Sequence, residues 1–140
     1  MGKQGDLEAR ASIDAIAESF FDLFDNRGGR PPRLDMLHEL VVPGATIVRA
    51  TEPEPELTNV ADFLAPRQKM LSDGTLAEFA ERELAATTEV FGNVAQRFSL
   101  YEKSGIRDGR QFTTRGMKAF QFVRTPDGWR ISAVAWDDER

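Results

Sequence analysis

The second half of the chain is built from alternating segments that short turns separate. In "VAQRFSLYEK", residues 94–103, the side chains alternate in character, which is typical of a β-strand. Gly-Asn at 92–93 and "TPDGW" at 125–129 are turn signals, and "SGIRDGR", residues 104–110, predicts a further turn. Because parallel strands need long crossover connections, strands joined by such short turns pair antiparallel. The sequence therefore predicts hairpin-connected strands after Gly74.

The first half of the chain has helical periodicity. Apolar residues recur at helical spacing over residues 6–27, which predicts a helix with Asp6 as its N-cap. A short second helix is predicted over residues 34–41, ended by Pro43-Gly44. The segment "ATIVRAT", Ala45 to Thr51, then predicts one strand.

The middle of the chain links these two halves. The segment "TEPEPE", residues 51–56, holds three acids and two prolines, which predicts an exposed connection or, alternatively, a lid over a ligand site. A third helical segment spans about residues 59–71, where Pro66 predicts a kink or a division into two pieces. The order helix, helix, strand, helix and four strands predicts an α+β domain, with helices packed on one face of a curved antiparallel sheet.

Length and composition fit one globular domain spanning residues 1–140. The net charge of −5, with both signs interspersed, argues against a nucleic-acid-binding surface and against attraction to an anionic membrane. The chain has no cysteine and a single histidine, His38, so we predict neither thiol chemistry nor a metal site, and no cofactor. No apolar run approaches the roughly 20 residues of a membrane span, and we expect a cytoplasmic protein.

One predicted strand carries apolar groups on both faces. The segment "GMKAFQFV", residues 116–123, places Lys118, Phe120 and Phe122 on one face, and on the other Met117, Ala119, Gln121 and Val123. Because both faces carry apolar groups, each is expected to meet other parts of the protein or a partner. The lysine beside two phenylalanines either extends past a core or lies in a pocket that binds a ligand.

Four segments together resemble the nuclear transport factor 2-like superfamily, which includes the SnoaL-like polyketide cyclases and the ketosteroid isomerases. They cover nearly the whole chain and read "FFDLFDNRGG", "LHELVVPGATIVRA", "TEVFGNVAQRFSLYEKSG" and "FQFVRTPDGWRISAVAWDDE". The resemblance implies a cone, in which N-terminal helices pack in the concave face of a strongly curved mixed, mainly antiparallel β-sheet that leaves an apolar cavity at one end. It also implies a homodimer formed through the outer face of the sheet.

The resemblance gives the last two strands an expected register. Pairing Thr125 with Trp129 across the "PDG" turn places Phe122 opposite Ser132, Phe120 opposite Val134 and Lys118 opposite Trp136. The residues expected to face the cavity are Phe98, Leu100, Phe120, Phe122 and Val134, with Lys118 and Trp136 near its mouth. The residues expected on the outer face are Ser99, Tyr101, Met117, Ala119, Val123, Ile131, Ala133 and Ala135. A face that smooth and apolar predicts a dimer.

The resemblance also bears on catalysis. The isomerases of this superfamily use a carboxylate base, a tyrosine and a protonated aspartic acid in the cavity. Aligned on the matching segments, these three positions hold Arg49, Phe20 and Lys118. Arginine is not a base at neutral pH, phenylalanine has no proton to donate, and lysine carries the opposite charge. We therefore predict no catalytic residue and disfavour an isomerase of that type.

The sequence favours a dimeric domain that binds a small molecule, with a cavity that prefers acidic, apolar-bodied ligands. Lys118 and Arg49 would point toward one opening, where a ligand anion or an internal carboxylate, from Glu89, Glu102 or Asp138, would meet them. The predicted ligand-binding residues are Phe20, Arg49, Phe63, Phe98, Glu102, Lys118, Phe120 and Trp136. Two alternatives remain: a cyclase- or dehydratase-like enzyme that uses Glu102 or Asp138 for proton transfer, and a dimerisation module with a filled cavity.

Overall fold

A computed structural model describes residues 3–139 of the chain. Two short 3₁₀ helices, Arg27–Gly29 and Leu34–Glu39, lie between the first α-helix and the first strand. The α-helices and strands are α1 (Lys3–Asp22), β1 (Val41–Arg49), β2 (Glu56–Thr58), α2 (Val60–Ser72), β3 (Leu76–Phe91), β4 (Val94–Arg107), β5 (Arg110–Thr125) and β6 (Gly128–Asp138). None of the helices in this part of the chain is long and apolar enough to cross a membrane.

The six strands form one mixed sheet in the order β2-β1-β6-β5-β4-β3. The hairpins β3–β4, β4–β5 and β5–β6 are antiparallel, as their short turns predict. Among the described strands, only β1 and β6 pair in parallel. A long stretch of chain, from β2 to β5, connects these two strands, as a parallel pair requires. The predicted α+β class, with helices packed on a curved, mainly antiparallel sheet, is confirmed, and β2 is an additional short edge strand that the sequence did not predict.

Several predicted boundaries are wrong in detail. The first helix begins at Lys3 and ends at Asp22, so Asp6 lies within the helix and is not its N-cap. Pro43-Gly44 does not precede a later strand but lies inside β1, where the pairing with β6 is interrupted between Val41 and Thr46. Proline has no N–H to donate to a neighbouring strand, and Gly44 has a φ of 82°, so the strand bulges there instead of ending.

The second α-helix runs through its proline without dividing. It spans Val60–Ser72 and includes Pro66. At its start the Asp62 backbone N–H donates to Asn59 Oδ1 over 2.8 Å, which satisfies one of the amides that a helix leaves unpaired at its N-terminus. The helix buries Phe63 and Leu71 and so closes one side of the sheet's concave face.

The core lies between α1 and the concave face of the sheet. Apolar residues of α1 recur at the spacing of one helix face and are buried there: Ala9, Ile13, Ala17, Phe20 and Phe21. The edge of the Phe20 ring meets Phe120 of β5, with 5.2 Å between the ring centres. Leu34 and Leu37 of the second 3₁₀ helix add to the same core.

A buried asparagine joins three elements at the base of the cone. The side-chain amide of Asn26 donates to the carbonyl oxygens of Leu71 and Leu76 over 2.9 and 2.8 Å. Its side-chain oxygen accepts from the Phe79 backbone N–H over 2.8 Å. Because every polar atom of this amide is used, the chain after α1, the end of α2 and the start of β3 are held in one arrangement.

The register of the last hairpin is partly as predicted. Thr125 pairs with Gly128 and not with Trp129, so the hairpin begins one residue tighter than expected. Phe122 consequently lies opposite Ile131, and Ile131 is buried in the core instead of lying on the outer face.

A bulge in β6 corrects this offset. The pairing shifts between Gln121 and Phe122, where β6 has one extra residue. Beyond the bulge Phe120 lies opposite Val134 and Lys118 opposite Trp136, which confirms those two predicted pairs.

The two faces of β4 are the reverse of the prediction. Ser99 pairs with Lys118 and shares its buried face, whereas Phe98 is 54% exposed on the outer face. The buried residues of this strand are Ala95, Arg97, Ser99 and Tyr101. The polar members can be buried because they have partners: two carboxylates, Asp14 of α1 and Glu83 of β3, each lie 2.6 Å from the Arg97 guanidinium. Phe98 and Leu100 therefore do not face the cavity.

Candidate functional site

A cavity of about 1160 Å³ opens at one end of the cone, between α2, the edge of β1 and the ends of β3 to β6. Its apolar lining includes Phe24, Phe63, Met70, Leu71, Leu76, Phe79, Phe112 and Trp136. Its charged lining includes Arg49, Glu56, Arg67, Glu81, Lys103, Lys118 and Asp138. Concave apolar walls with a few convergent polar groups are typical of small-molecule sites.

Lys118 lies in this cavity as a buried ion pair. Its residue is only 3% exposed, and its Nζ lies 3.2 Å from Glu81 Oε1. The same Nζ lies 4.0 Å from the centre of the Tyr101 ring and 4.5 Å from that of Trp136. Burial lowers the pKa of Lys118, and the negative charge of Glu81 opposes that effect. The partner of Lys118 is thus Glu81, and none of the predicted partners Glu89, Glu102 and Asp138.

Glu81 reaches the cavity because β3 is irregular. The pairing of β3 with β4 shifts between Ala77 and Ala80, and Glu78 within that interval has a φ of 50°. After this bulge the buried Phe79 is followed by Glu81 and Glu83, whose carboxylates meet the inward cations of the sheet, Lys118 and Arg97 respectively. From the sequence alone, the glutamates along this strand are interpreted as solvent-facing: Glu78, Glu81, Glu83 and Glu89. The inward positions of the Glu81 and Glu83 carboxylates were therefore not predicted.

A second set of polar side chains, centred on Asp138, lines the same cavity as the Lys118–Glu81 ion pair. The Tyr101 hydroxyl donates to Asp138 Oδ1 over 2.8 Å, and Lys103 Nζ donates to Asp138 Oδ2 over 3.0 Å. Burial raises the pKa of Asp138, but the hydrogen bonds from Lys103 and Tyr101 outweigh it, and the pKa lies below its usual value. Burial together with the Glu81 and Asp138 carboxylates raises the pKa of Tyr101, so this phenol stays a neutral donor.

Arg67 of α2 is a cavity cation that the sequence did not predict. Its guanidinium carbon lies 3.9 Å from the centre of the Phe63 ring and 5.8 Å from that of Trp136, and Nη1 donates to the Phe63 carbonyl over 3.1 Å. Within residues 3–139 no carboxylate forms an ion pair with it. Burial lowers the pKa of Arg67, Glu81 and Glu56 oppose this from a distance, and Arg49 adds to it. The available signal was the four-residue spacing of Phe63 and Arg67, which stacks them on one helix face.

Four of the eight predicted site residues line the cavity: Arg49, Phe63, Lys118 and Trp136. Phe20 and Phe120 are buried in the core behind it, and Phe20 lies 5.9 Å from Lys118 Nζ. Phe98 lies on the outer face. Glu102 is also outside the cavity, where Arg82 and Arg115 hold its carboxylate at 3.0 and 3.2 Å. Ligand binding by any of these residues stays a prediction. In the part of the chain that the structure describes, no group of three acidic or histidine side chains is arranged to hold a metal ion.

Solved structures with a similar fold cover almost all of this chain. An NTF2-like superfamily protein from Salmonella enterica subsp. enterica serovar Typhimurium str. LT2 is 15% identical, with a TM-score of 0.78 over 96% of this chain and 94% of its own. An NTF2-like protein with a cystatin-like fold from Novosphingobium aromaticivorans is 19% identical, with a TM-score of 0.74 over 97% and 85%.

An enzyme is also among the similar structures. The hexachlorocyclohexane dehydrochlorinase LinA-type3 from Novosphingobium barchaimii LL02 is 10% identical, with a TM-score of 0.76 over 99% of this chain and 92% of its own. No protein-family model and no curated protein matches the chain. By its helices, its strand order and its likeness to these structures, the chain has the nuclear transport factor 2-like fold, also described as cystatin-like.

Proposed function

We propose that the chain is a homodimeric domain that binds small molecules with an apolar body and an acidic group. The observation that carries this proposal is Arg67, a stacked and partly desolvated cation on the cavity wall that pairs with no carboxylate among the described residues. Removing a charge from water costs free energy unless an opposite charge meets it. A ligand carboxylate would meet this charge, and Arg49 on the same wall would add to the attraction.

We attribute the acid preference to Arg67 and Arg49 and not to Lys118. Glu81 already neutralises Lys118, so Lys118 is less suited than the two arginines to hold a ligand anion. A guanidinium can hold a carboxylate through two parallel hydrogen bonds, and each charge-assisted bond contributes roughly 1.5–3 kcal/mol. The planar guanidinium also stays stacked on Phe63 while its N–H groups point to the ligand.

The body of the ligand would lie against the aromatic wall. Phe63 and Trp136 meet edge to face, with their ring centres 5.8 Å apart, and the rings of Phe79 and Phe112, which also line the cavity, have centres 6.3 Å apart. Burying apolar surface against such rings contributes roughly 25 cal/mol per Å² of area removed from water. An open cavity also disfavours a pure dimerisation module, which would have a filled one.

Thermal unfolding in the presence of matched ligands tests the proposal. Aryl carboxylates are expected to raise the Tm more than the corresponding neutral amides, and Arg67→Met should remove that difference. Arg124→Met, which removes an equal charge from an exposed position on β5, serves as the control and should leave it unchanged. Equal shifts for acids and amides in the wild-type protein would refute the acid preference, and no shift with any aryl compound would refute ligand binding.

The outer face of the sheet supports the homodimer. Phe98 lies opposite Ala119 on β5, and Ala119 lies opposite Ala135 on β6, so an exposed aromatic ring stands beside small residues. Val94 on the same face of β4 is also about half exposed. Contiguous apolar surface of this kind is typical of a protein interface.

A second candidate function is catalysis by proton transfer. Asp138 lies in the cavity and accepts from Tyr101 and Lys103, so it remains available as the carboxylate of a cyclase- or dehydratase-like reaction. Glu102 is no longer a candidate, since it lies outside the cavity. The similar fold of a dehydrochlorinase is compatible with such a reaction but adds no residue to it. A cytoplasmic location, with neither nucleic acid nor membrane as partner, also remains a prediction.

A further inference from the structure

We propose that Lys118 is an amine nucleophile that forms an imine with aldehydes or ketones bound in the cavity. The inference rests on one premise of the proposed function, that small molecules enter the cavity. It does not depend on the preference for acids. Among the described residues, two lysines line the cavity, Lys103 and Lys118, and Lys118 is the more deeply buried of the two.

The ion pair that holds Lys118 is close but incomplete. Glu81 Oε1 lies 3.2 Å from Lys118 Nζ, and within the described part of the chain this buried oxygen has no partner besides that amine. A buried carboxylate oxygen with a single partner remains incompletely compensated for the loss of water. Glu81 Oε1 is therefore a proton acceptor directly beside the amine, and a ligand hydroxyl could donate a further hydrogen bond to it.

Charged groups from three strands act on the protonation of Lys118, some favouring its ammonium form and some its neutral amine. Glu81 of β3 and Asp138 of β6 favour its ammonium form, and Lys103 of β4 disfavours it. Tyr101 of β4 and Trp136 of β6 present ring faces to it, and the Phe20 and Phe21 rings of α1 lie 5.9 Å from its Nζ. Burial is the strongest influence, and it favours the neutral amine. A lysine whose charge is disfavoured by desolvation is the kind that reacts with carbonyl compounds near neutral pH.

The chemistry balances without an oxidant or reductant. The Lys118 ammonium first gives one proton to the Glu81 carboxylate, which frees the Nζ lone pair. The lone pair attacks the carbonyl carbon, the C=O π bond breaks, and a second proton moves from the nitrogen to the oxygen to give a neutral carbinolamine. Glu81 then returns its proton to the hydroxyl, which leaves as water, and the nitrogen lone pair forms the C=N bond of an imine that keeps one N–H and a positive charge. The protonated imine keeps its positive charge where the ammonium had it, so the Tyr101 and Trp136 ring faces and the Glu81 carboxylate remain favourable to it.

Reductive trapping on the full chain tests the inference. The protein is incubated near pH 7 with benzaldehyde or with 4-carboxybenzaldehyde and with cyanoborohydride, which supplies the hydride that fixes an imine as a secondary amine. Peptide mass mapping then locates the label. Lys118 is expected to be labelled at least about tenfold faster than Lys69, whose side chain is exposed. Glu81→Gln should slow labelling at Lys118 and leave Lys69 unchanged.

The two aldehydes separate this inference from the proposed function. Faster labelling by the carboxylated aldehyde supports both proposals, whereas equal labelling of Lys118 by the two supports the amine site and contradicts the acid preference. Label on Lys69 with none on Lys118 in the folded protein would overturn the inference. Label that reaches Lys118 only in urea would also overturn it, because the amine would then be shielded from ligands and its role structural.

Discussion

Glu81 on β3 and Lys118 on β5 form an ion pair across β4, the strand that lies between theirs. In the β-ladder Glu81 is opposite Lys103, and Lys118 is opposite Ser99, so Tyr101 lies midway along β4 between the two positions. A flat sheet would keep the two side chains apart, because adjacent strands are about 4.8 Å apart and the two positions are also offset along the strand. The curvature of the sheet brings them together, with Lys118 Nζ over the Tyr101 ring.

We expect Lys118→Met to destabilise the protein by about 3–5 kcal/mol, since it leaves the Glu81 carboxylate buried without its cation. The double variant with Glu81→Gln should recover most of that loss, because two neutral side chains need no ion pair. Urea unfolding of the wild type, both single variants and the double variant gives the coupling free energy. Losses that simply add would show that the two residues do not act as a pair.

Gly116→Ala should destabilise the sheet where β5 meets β4 and β6. A Cβ at position 116 would lie 2.5 Å from the Asp137 carbonyl oxygen and 3.0 Å from Tyr101 Cε1. Since backbone and a buried ring must move, we expect a loss of about 1–3 kcal/mol. Gly5→Ala is the control: its Cβ meets nothing within 4 Å, and an alanine inside α1 should stabilise by up to about 1 kcal/mol. Equal effects of the two changes in urea unfolding would contradict the close approach at Gly116.

Asn26→Ala should cost about 2–4 kcal/mol, because two carbonyl groups and one N–H that the side chain now satisfies would be left without partners. Asn93→Ala, in the exposed turn between β3 and β4, should change the unfolding free energy by less than about 0.5 kcal/mol. Hydrogen exchange gives a second measurement, and faster exchange at the Phe79 amide is expected in the Asn26 variant. Unchanged exchange there would mean that water replaces the side chain.

Stability should fall in acid partly through Asp25. The hydrogen bond from the Arg27 side chain lowers the pKa of this buried carboxyl below its unfolded value, and Arg30 adds a second ion pair at 2.7 Å. A carboxyl with a lowered folded pKa stabilises fully above its unfolded pKa, near 4, and loses that contribution as the pH falls through the folded value.

Asp25→Asn should therefore destabilise by about 1 kcal/mol at pH 7, since both arginines are largely exposed, and by less at pH 2. Urea midpoints measured across this pH range give the comparison. Asp127→Asn, in the last hairpin turn, is the control. A variant whose deficit stays constant down to pH 2 would remove Asp25 as a source of the acid sensitivity.

The wild-type protein should have the mass of a dimer in light scattering at micromolar concentration. Ala119→Asp combined with Ala133→Asp should yield monomers, because four like charges would be buried in one interface. Ala11→Asp with Ser12→Asp adds the same charge to an exposed face of α1 and should leave the dimer intact. A monomeric wild type would contradict the homodimer.

Local sequence signals predicted the fold better than they predicted the site. The turns at Gly92-Asn93 and Pro126-Asp127 follow from residues that favour those backbone conformations, and they fix the hairpins. The prediction of which β4 side chains face the core is wrong, because a reading based on hydrophobic alternation assumes that polar residues face water. Arg97 is buried only because α1 and β3 supply carboxylates, and such long-range pairing has no signature within the strand itself.

The site was predicted in part for the same reason. The predicted pairing of Lys118 with Trp136 is correct although the predicted turn is not. The hairpin starts one residue earlier in β6 than expected, and the one-residue bulge in β6 cancels that shift. Glu81 was missed because the bulge in β3, where Glu78 adopts a positive φ, shifts which residues of the strand face inward. Arg67 was missed because its role depends on how α2 docks against Trp136, which is set by tertiary packing.

The parallel pairing of β1 with β6 has a consequence for the order of folding. Ile47 pairs with Val134, near the other end of the chain, whereas β3, β4 and β5 can close as local hairpins. Contacts between distant parts of a chain form slowly, because a long loop must close first. During synthesis β1 therefore waits with one edge unpaired until β6 leaves the ribosome, and Trp136 completes the cavity wall in that same late step.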